Sequence, residues 1–291
     1  MPSEIAVVSG KGGTGKTTIS AAFVAVARNI VMADCDVDAP DLHILLQPTV
    51  IQTDSFISSK VASIDSTICT QCGSCKDACR FDAIEPPLIN PISCEGCGVC
   101  EVVCPEQAVT MQDKISGHMY KSTTRFGSMS HAKLLPGEGN SGKLVTQVRT
   151  QSLQMAKESN EDVILIDGSP GIGCPVIATV AGLKLGIVVT EPTLSGIHDM
   201  KRVLDLIARF NVKPAVIINK FDLNMKNTED IEKYCKDNGI EILGRIPFDS
   251  IMTKSMVAGS TLPEYAPEHA ITQTLRKMWN RVGELVNSQS G

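Results

Sequence analysis

Eight of the chain's eleven cysteines lie in two runs that share one spacing, Cys-x-x-Cys-x-x-Cys-x-x-x-Cys. The first run is formed by Cys69, Cys72, Cys75 and Cys79, and the second by Cys94, Cys97, Cys100 and Cys104. Outside an oxidising compartment, cysteines at such short intervals are more often metal ligands than disulfide partners. A segment this small cannot bury a large apolar core, so we expect bound metal to hold it together.

A glycine-rich loop lies near the N-terminus and reads Gly10-Lys11-Gly12-Gly13-Thr14-Gly15-Lys16-Thr17. It follows a strand-like run and precedes a helical pattern, which is the setting of a phosphate-binding loop. Glycines let backbone N–H groups turn toward phosphate oxygens, and the helix N-terminus adds its dipole. Lys16 is predicted to reach the β- and γ-phosphates, and Thr17 to ligate Mg²⁺. A glycine-rich turn without a ligand is the alternative.

The cysteine runs are similar to those of two-cluster bacterial ferredoxins, where the last cysteine of each run serves the other run's cluster. The resemblance implies one [4Fe–4S] cluster on Cys69, Cys72, Cys75 and Cys104, and a second on Cys94, Cys97, Cys100 and Cys79. Zinc is the alternative, because Cys-x-x-Cys pairs also build four-cysteine zinc sites. Arg80 stands where the pattern has a proline, which changes the surroundings of one cluster but removes no ligand.

A second lysine in the loop, Lys11, makes the run from Lys11 to Thr18 resemble the deviant Walker A ATPases. That family includes MinD, ParA, the Mrp-type carriers and the nitrogenase iron protein. The resemblance covers nearly the whole chain and implies that Gly10 through Thr18 bind ATP or ADP. It also implies a homodimer in which Lys11 reaches the partner's nucleotide and neutralises charge that develops during hydrolysis. A solvated loop lysine is the alternative.

Carboxylates follow two of the strand-like runs, where ligands bind in open parallel sheets. The resemblance implies that Asp167 is the Walker B aspartate that holds Mg²⁺, and that Asp36 is the switch I aspartate that orients the attacking water. Asp34 and Asp38 compete with Asp36 for that role. A helix cap or turn residue is the alternative for any single one of these acids.

Three further segments resemble elements of the same family. Asp167-Gly-Ser-Pro-Gly171 is similar to switch II, which senses the γ-phosphate. Asn219 resembles the asparagine that contacts adenine, and Pro247 resembles a second element on the base side. A turn residue would explain either of these last two positions equally well.

Short aliphatic runs alternate with helical patterns along the rest of the chain, which predicts a mainly parallel α/β sheet with right-handed crossovers. The predicted strands are Ile5–Val8, Ile30–Ala33, Val163–Asp167, Gly186–Val189, Ala215–Ile218 and Ile240–Ile246. The predicted helices are Thr17–Arg28, Lys143–Ser159, Val176–Leu183, Ile197–Phe210, Asn227–Asp237 and Ile271–Val286. The polar stretch Ile115–Gly142 has no assigned structure.

The family resemblance refines this fold to a P-loop NTPase of the MinD and iron-protein type. We expect a discontinuous ATPase domain over residues 1–57 and 114–291, and an inserted, small α+β ferredoxin-like domain over residues 58–113. The domain break is placed where the composition becomes rich in cysteine. The insert also repeats internally, since Cys79-Arg-Phe-Asp-Ala-Ile and Cys104-Pro-Glu-Gln-Ala-Val follow one scheme.

Composition limits the partners and the cellular location that we expect for this protein. A net charge of −5 gives no electrostatic reason to expect a nucleic-acid partner. No apolar run is long enough to span a bilayer, and the N-terminal residues do not resemble a secretion signal, so we expect a cytoplasmic protein. The last helix has one apolar face, Ile271, Leu275, Met278, Val282 and Leu285. Core packing is the usual reason for such a face, and membrane binding is the alternative.

Cys35, Cys174 and Cys235 fall outside the two runs, and we expect simple buried thiols there. A cluster bridging a dimer axis is the alternative. The function that these expectations favour is ATP-driven dimer switching coupled to electron transfer through two [4Fe–4S] clusters, toward an unidentified redox partner. The alternatives are an ATP-dependent cluster carrier of the Mrp type and a nucleotide or redox switch with little turnover.

Overall fold

In residues 2–27, 30–139 and 141–288, which the computed structural model describes, strands and helices alternate along most of the chain. The strands are β1 Ser3–Ser9, β2 Ile30–Asp34, β3 Thr49–Ile64, β4 Ile84–Glu85, β5 Leu88–Ile89, β6 Val109–Thr124, β7 Gly127–Leu134, β8 Val163–Pro170, β9 Leu185–Thr190, β10 Lys213–Asn219 and β11 Glu241–Ile246. The helices are α1 Lys16–Val26, α2 Leu42–Leu46, α3 Ser74–Asp77, α4 Val99–Val103, α5 Ser141–Ser159, α6 Cys174–Val180, α7 Leu194–Arg209, α8 Met225–Asp237, α9 Ser250–Val257, α10 Leu262–Tyr265 and α11 Ala270–Asn287.

The predicted mainly parallel α/β sheet is confirmed. The strand order is β11-β10-β9-β1-β8-β2-β7-β6-β3, and the pairings of β1 with β8 and β9, of β10 with β9 and β11, and of β2 with β7 and β8 are all parallel. The central strands are buried along nearly their whole length. Their continuous runs of aliphatic residues are typical of strands covered on both faces.

The register of the central strands brings their carboxyl ends together. Asp167 of β8 lies opposite Val7 of β1 on one side and opposite Asp34 of β2 on the other. The phosphate loop leaves β1 two residues beyond Val7, at Ser9. The sheet topology therefore places the loop and both acidic strand ends at one edge, where ligands bind in open α/β sheets.

All six predicted strands lie within or overlap observed ones, and the six predicted helices match α1, α5, α6, α7, α8 and α11 to within a few residues. Arg28, the predicted end of the first helix, lies outside the described residues. The stretch that the sequence left unassigned, Ile115–Gly142, contains the end of β6 and all of β7. The apolar pattern of β7 is interrupted by buried polar residues, since Ser130 is fully buried and its hydroxyl lies 2.7 Å from Gln151 Oε1.

The chain divides into two compact units. The first comprises Met1–Thr53, Met119–Lys133 and Ser141–Gly291, and the second comprises Asp54–His118 and Leu134–Asn140. The predicted domain boundaries, at residues 57/58 and 113/114, fall inside β3 and β6 and stay a prediction.

The core of the second unit is small and rich in sulfur. Its buried residues are Ala62, Cys75, Ala83, Ile84, Cys100 and Val109. Four more cysteines, Cys79, Cys94, Cys104 and, outside the core proper, Cys69, are half-buried. Two-residue strands β4 and β5 pair antiparallel beside this core. Few aliphatic side chains contribute to the stability of this unit.

The C-terminal helix α11 belongs to the core of the first unit. All five residues of its predicted apolar face are at most 5% exposed, and the helix packs against α1 and β11. The rings of Phe23 in α1 and Trp279 in α11 lie with their centroids 5.4 Å apart and their planes tilted by 41°. The predicted core packing is thus confirmed. None of the helices in the described residues is both long and apolar enough to cross a membrane.

We predict that Leu275→Ala lowers the free energy of unfolding by about 2–5 kcal/mol, because the side chain is fully buried and its removal leaves a cavity. Chemical denaturation measures the change. Lys277→Ala on the exposed side of the same helix is the control, with an expected change within about 0.5 kcal/mol. Equal stability of the two variants would contradict the packing of α11.

Candidate functional site

A cavity of about 570 Å³ lies at the carboxyl ends of the central strands. Ten of the predicted nucleotide residues line it: Gly12, Gly13, Thr14, Gly15, Lys16, Thr17, Thr18, Asp36, Asn219 and Pro247. Three others, Gly10, Lys11 and Asp167, do not line the cavity, although each adjoins residues that do.

The conformation of the phosphate loop depends on two of its glycines. Gly15 has a φ of +90° and precedes the first turn of α1, and a Cβ there would come within 3.0 Å of the Asn219 side-chain nitrogen. A Cβ on Gly10 would meet the backbone and Cβ of Asp199 in α7, again within 3.0 Å. The Asn219 amide donates to the Thr14 carbonyl at 2.7 Å. These contacts fix the loop between β10 and α7.

A buried group of charges lies under the loop. Lys16 donates to Asp167 Oδ1 at 3.1 Å, and the Thr17 hydroxyl donates to Asp167 Oδ2 at 2.7 Å. The Ser20 hydroxyl adds a third hydrogen bond to Asp167, at 2.7 Å. Asp167 is 1% exposed, so these partners compensate its desolvation. The residues predicted to bind phosphate and metal are therefore already joined to one another.

Asp34 and Asp36 occupy different positions, although they are two residues apart. Asp34 is fully buried and accepts hydrogen bonds from the backbone N–H groups of Asp36 and Leu42, so it holds the loop that follows β2. Asp36 lines the cavity, with its Oδ2 3.5 Å from Lys16 Nζ. Asp38 also lines the cavity but is exposed. Among the three, Asp36 combines access to the cavity with contact to the phosphate-loop lysine.

The carboxylates shift one another's protonation. Burial alone would lower the pKa of Lys16, but the negative charges of Asp167 and Asp36 outweigh it and raise the pKa above its ordinary value. Burial raises the pKa of Asp36 to about 6, against the opposing effect of Lys16. Burial and the charge of Asp167 raise the pKa of Asp34 well above its ordinary value. The site therefore holds more negative charge than its lysine can balance.

Lys11 points away from the cavity and toward the loop after β9. Its Nζ lies 2.6 Å from Glu191 Oε1, and 3.1 Å from the Ser195 hydroxyl. Glu191 also pairs with Lys220, whose Nζ lies 3.2 Å from Glu191 Oε2 and donates to the Gly13 carbonyl at 3.2 Å. One carboxylate thus binds two lysines next to the phosphate loop.

Part of the cavity lining is apolar. Pro247, Phe248, Met252 and Met256 present mainly apolar surface there. The backbone N–H of Phe248 donates to Asp222 Oδ1 at 2.7 Å, which holds this loop near the end of β10. A flat apolar group could stack in this part of the cavity, as a nucleotide base does.

The loop also contains a buried polar atom that suits a phosphate. Within the described residues, the Thr14 hydroxyl has no hydrogen-bond partner, although Thr14 is only 2% exposed. Unsatisfied buried hydroxyls are uncommon, since each costs about 1–3 kcal/mol. Its position in a glycine-rich loop that leads into the first turn of α1 fits a site for an oxyanion.

Two further cavities lie in the second unit, and each is lined by four cysteines. The first is lined by Cys69, Cys72, Cys75 and Cys104, and the second by Cys79, Cys94, Cys97 and Cys100. Both cavities are small, about 10 and 20 Å³. In each cavity, three cysteines of one run meet the last cysteine of the other run.

The cavities share one hydrogen-bond pattern. The backbone N–H of Ala83 donates to Cys79 Sγ at 3.5 Å, and that of Ala108 donates to Cys104 Sγ at 3.3 Å. These are equivalent positions in the two halves of the internal repeat. Within the described part of the chain, no group of three or more His, Cys, Asp or Glu side chains is arranged to hold a single metal ion.

Comparison with known proteins agrees with the nucleotide-site geometry. Residues 5–262 match the model of the CobQ/CobB/MinD/ParA nucleotide binding domain, which is most of the chain. The chain belongs to this family. Its members with solved structures include MinD from Pyrococcus horikoshii complexed with Mg-ADP, which superimposes with a TM-score of 0.60 at 20% identity and covers 98% of this chain and 97% of that one.

Two proteins similar in sequence each match most of this chain. The uncharacterized protein MJ0578 of Methanocaldococcus jannaschii is 32% identical over 286 residues, which is 97% of each chain. An iron-sulfur cluster carrier protein of Pyrococcus horikoshii is 23% identical over 84% of this chain and 74% of its own length.

The remaining cysteines of this MinD/ParA-type protein differ in their surroundings. Cys35 and Cys235 are fully buried, as predicted, and burial raises the pKa of the Cys235 thiol to about 11. Cys174 is exposed, so the prediction of a buried thiol was wrong there. It is the first residue of α6, and the turn before that helix leaves its side chain uncovered.

Sequence reasoning missed Glu191, Asp222 and Ser20. Ser20 lies one helical turn beyond Lys16, and this spacing could have indicated a shared partner. Asp222 follows Asn219 closely in sequence, which is a weak signal. No sequence motif pointed to Glu191, because its ion-pair partners Lys11 and Lys220 are far from it in sequence.

We predict that Asp36→Asn raises the free energy of unfolding of the nucleotide-free protein at pH 7.5 by about 1–3 kcal/mol, and changes it little at pH 4. The pKa of Asp36 is raised to about 6, so between its ordinary value of 3.8 and about 6 the folded state holds a proton that the unfolded state has lost. The contribution of Asp36 to stability therefore falls as the pH rises through this window.

Urea denaturation across pH 4 to 7.5 tests this prediction. The exposed Asp38 provides the control variant Asp38→Asn, which should change stability little at any pH. If Asp36→Asn destabilised the protein at pH 7.5, the attraction between Asp36 and Lys16 would outweigh the cost of burial.

Proposed function

We propose that this protein is an ATP-binding and ATP-hydrolysing iron–sulfur protein that couples nucleotide-driven dimer switching to electron transfer. The observation that carries the proposal is the pairing of cysteines across the two runs. Four thiols line each of two cavities, in the combination that two [4Fe–4S] clusters require. The same chain has a nucleotide cavity of its family's type.

The arrangement of the thiols supports clusters over zinc. A cubane takes one thiolate on each iron, so its ligands surround a space, whereas the four ligands of zinc converge on one point. Cysteines line both cavities, and both runs have the full spacing of a two-cluster ferredoxin, which zinc sites do not usually need. We therefore propose that residues 58–113 form a ferredoxin-like insert and that the rest of the chain is the ATPase domain. When bound, the clusters supply one-electron transfer.

For the nucleotide, the roles follow from the geometry of the charged group. Lys16 would exchange carboxylate oxygens for the β- and γ-phosphates of ATP. Thr17 and Asp167 would hold Mg²⁺, since their oxygens already lie 2.7 Å apart. Asp36 would orient the attacking water, because it lines the cavity and Asp34 is occupied by backbone N–H groups. Mg²⁺ supplies positive charge near the phosphates.

We propose adenine contacts for Asn219 and Pro247. Asn219 lines the cavity and holds the phosphate loop through Thr14, and Pro247 lies on the apolar side where a base would stack. We propose a homodimer as the active state, with Lys11 acting on the partner's nucleotide. Within one protomer, Lys11 does not line the cavity of its own chain and pairs with Glu191 instead.

A cluster carrier is the second candidate function, because a relative at 23% identity is an iron-sulfur cluster carrier protein. The ligand sets argue for resident clusters instead. Each cavity has four cysteines, and Cys75 and Cys100 are buried in the core of the second unit. A cargo cluster would need ligands that open more readily.

We predict that Cys97→Ser loses about half or more of the iron and acid-labile sulfide of the anaerobically purified protein, out of about eight irons per chain. Cys97 is exposed and lines the second cavity. Elemental analysis and EPR measure the loss. Cys174→Ser is the control, since Cys174 is also exposed but lines neither cysteine cavity, and it should keep full iron. Zinc in place of iron would contradict the cluster assignment.

We predict that the ATPase rate changes when dithionite reduces the clusters, and that the cluster EPR signal changes when Mg-ATP is added. Coupling between nucleotide and electron transfer requires both effects. Lys16→Ala should abolish hydrolysis and the response to ATP while the cluster spectrum survives, and Lys226→Ala on exposed α8 is the matched control.

The outcomes separate the candidate functions. Mutual indifference of the ATPase rate and the EPR signal would contradict coupled electron transfer. Rapid movement of iron and sulfide to an apo-ferredoxin would support the carrier. Loss of the cluster spectrum in Lys16→Ala would show that this variant is misfolded, and Lys16→Gln would then replace it.

A further inference from the structure

Glu191 lies beside the phosphate loop and faces two lysines. It follows β9 directly, and its side chain is 13% exposed. One carboxylate oxygen lies 2.6 Å from Lys11 Nζ, and the other lies 3.2 Å from Lys220 Nζ. Two positive charges therefore share one negative charge at the edge of the nucleotide site.

The segment around Glu191 is held firmly. The Thr193 hydroxyl accepts from the Gly196 N–H and caps α7, and the Thr190 hydroxyl donates to the Gly196 carbonyl. A Cβ on Gly196 would lie within 3.0 Å of the Glu191 carbonyl oxygen, so this turn requires glycine. The backbone of Glu191 is thus fixed, so its carboxylate can follow Lys11 only as far as the side chain itself reaches.

Lys11 has a complete set of partners on its own chain. Besides Glu191, its ammonium lies 3.1 Å from the Ser195 hydroxyl and 3.3 Å from the Thr193 hydroxyl. A lysine held in this way must break these contacts before it can reach another protomer. Any contact present in the monomer and absent in the dimer lowers the dimer's affinity.

Lys220 makes the release of Lys11 feasible. When Lys11 leaves, Glu191 keeps its ion pair with Lys220, so no half-buried carboxylate is left without a counter-charge. Lys220 is itself held by the Gly13 carbonyl at 3.2 Å and follows Asn219, which anchors Thr14. The ion pair between Glu191 and Lys11 can therefore open without leaving the Glu191 carboxylate unpaired.

We propose that Glu191 is a latch that holds Lys11 on its own protomer and so restrains assembly of the ATP-bound dimer. This inference rests on the proposed role of Lys11 across a dimer. Glu191 is a positioning residue: it touches neither the nucleotide cavity nor its contents, and acts through Lys11.

Two measurements on the full chain test the latch. The first is the rate at which an N-hydroxysuccinimide ester acylates Lys11 in the nucleotide-free protein, followed by peptide mass spectrometry. Glu191→Gln keeps the shape of the side chain and should raise this rate about two- to fivefold, which is the scale of a surface ion pair. Glu229→Gln, an exposed glutamate on α8, should leave it unchanged.

The second measurement is self-association with Mg-AMPPNP, followed by sedimentation velocity. Glu191→Gln should shift the midpoint of dimer formation to about two- to fivefold lower protein concentration. An unchanged rate of Lys11 acylation would overturn the proposal. Faster acylation with unchanged or weaker dimerisation would overturn it too, since Glu191 would then only orient Lys11 for use.

The arms also separate this proposal from the proposed function. If the wild-type protein stays monomeric with Mg-AMPPNP and Glu191→Gln becomes dimeric, the homodimer and the latch are both supported. If both proteins stay monomeric, the homodimer is contradicted; an unchanged rate of Lys11 acylation then overturns the latch as well, whereas a faster rate keeps Glu191 as the group that holds Lys11.

Discussion

The contact on which the nucleotide site depends is the buried ion pair between Lys16 and Asp167. An ammonium group that is 6% exposed is stable only beside a carboxylate with good hydrogen-bond geometry. The pairing of β8 between β1 and β2 supplies that carboxylate, because it sets Asp167 opposite Val7 and beside Asp34. Ser20 and Thr17 donate two further hydrogen bonds to Asp167. The strand order and the phosphate loop therefore together supply the groups that compensate the buried charges of Lys16 and Asp167.

The protein's own residues do not balance all the charged and polar groups of this site. Asp34, Asp36 and Asp167 surround one lysine. Burial, with a smaller effect from the charge of Asp167, raises the pKa of Asp36 to about 6 although Lys16 opposes the shift. The Thr14 hydroxyl, close by in the loop, is buried without a partner among the described residues. Excess negative charge favours a divalent cation, and an unsatisfied donor favours an oxyanion. These unbalanced groups lower the stability of the protein, and a metal–nucleotide complex would satisfy them. Such destabilising groups are common at functional sites.

The sequence was most informative where local pattern and chemistry coincide. The strands on either side of Asp167, the loop from Gly10 to Thr18, and the pairing of cysteines across runs follow from short motifs or from the resemblance they carry. The structure added what depends on tertiary contact. Polar residues buried by partners distant in sequence, such as Ser130, concealed β7. Glu191 was invisible for the same reason, because residues 11 and 220 meet it only once the sheet has formed.

The two units differ in what holds them together. Aliphatic side chains from strands and from helices such as α1 and α11 fill the core of the first unit. The core of the second has few aliphatic residues, and Cys75 and Cys100 lie among them. A thiol buries little apolar surface, so such a core gives only a small free energy of folding without further bonds. If thiolate–iron bonds supply the rest, as proposed, the cysteines are ligands and core residues at once. The second unit would then owe its fold to the bound clusters, whereas the apolar core of the first unit stabilises that unit without a cofactor.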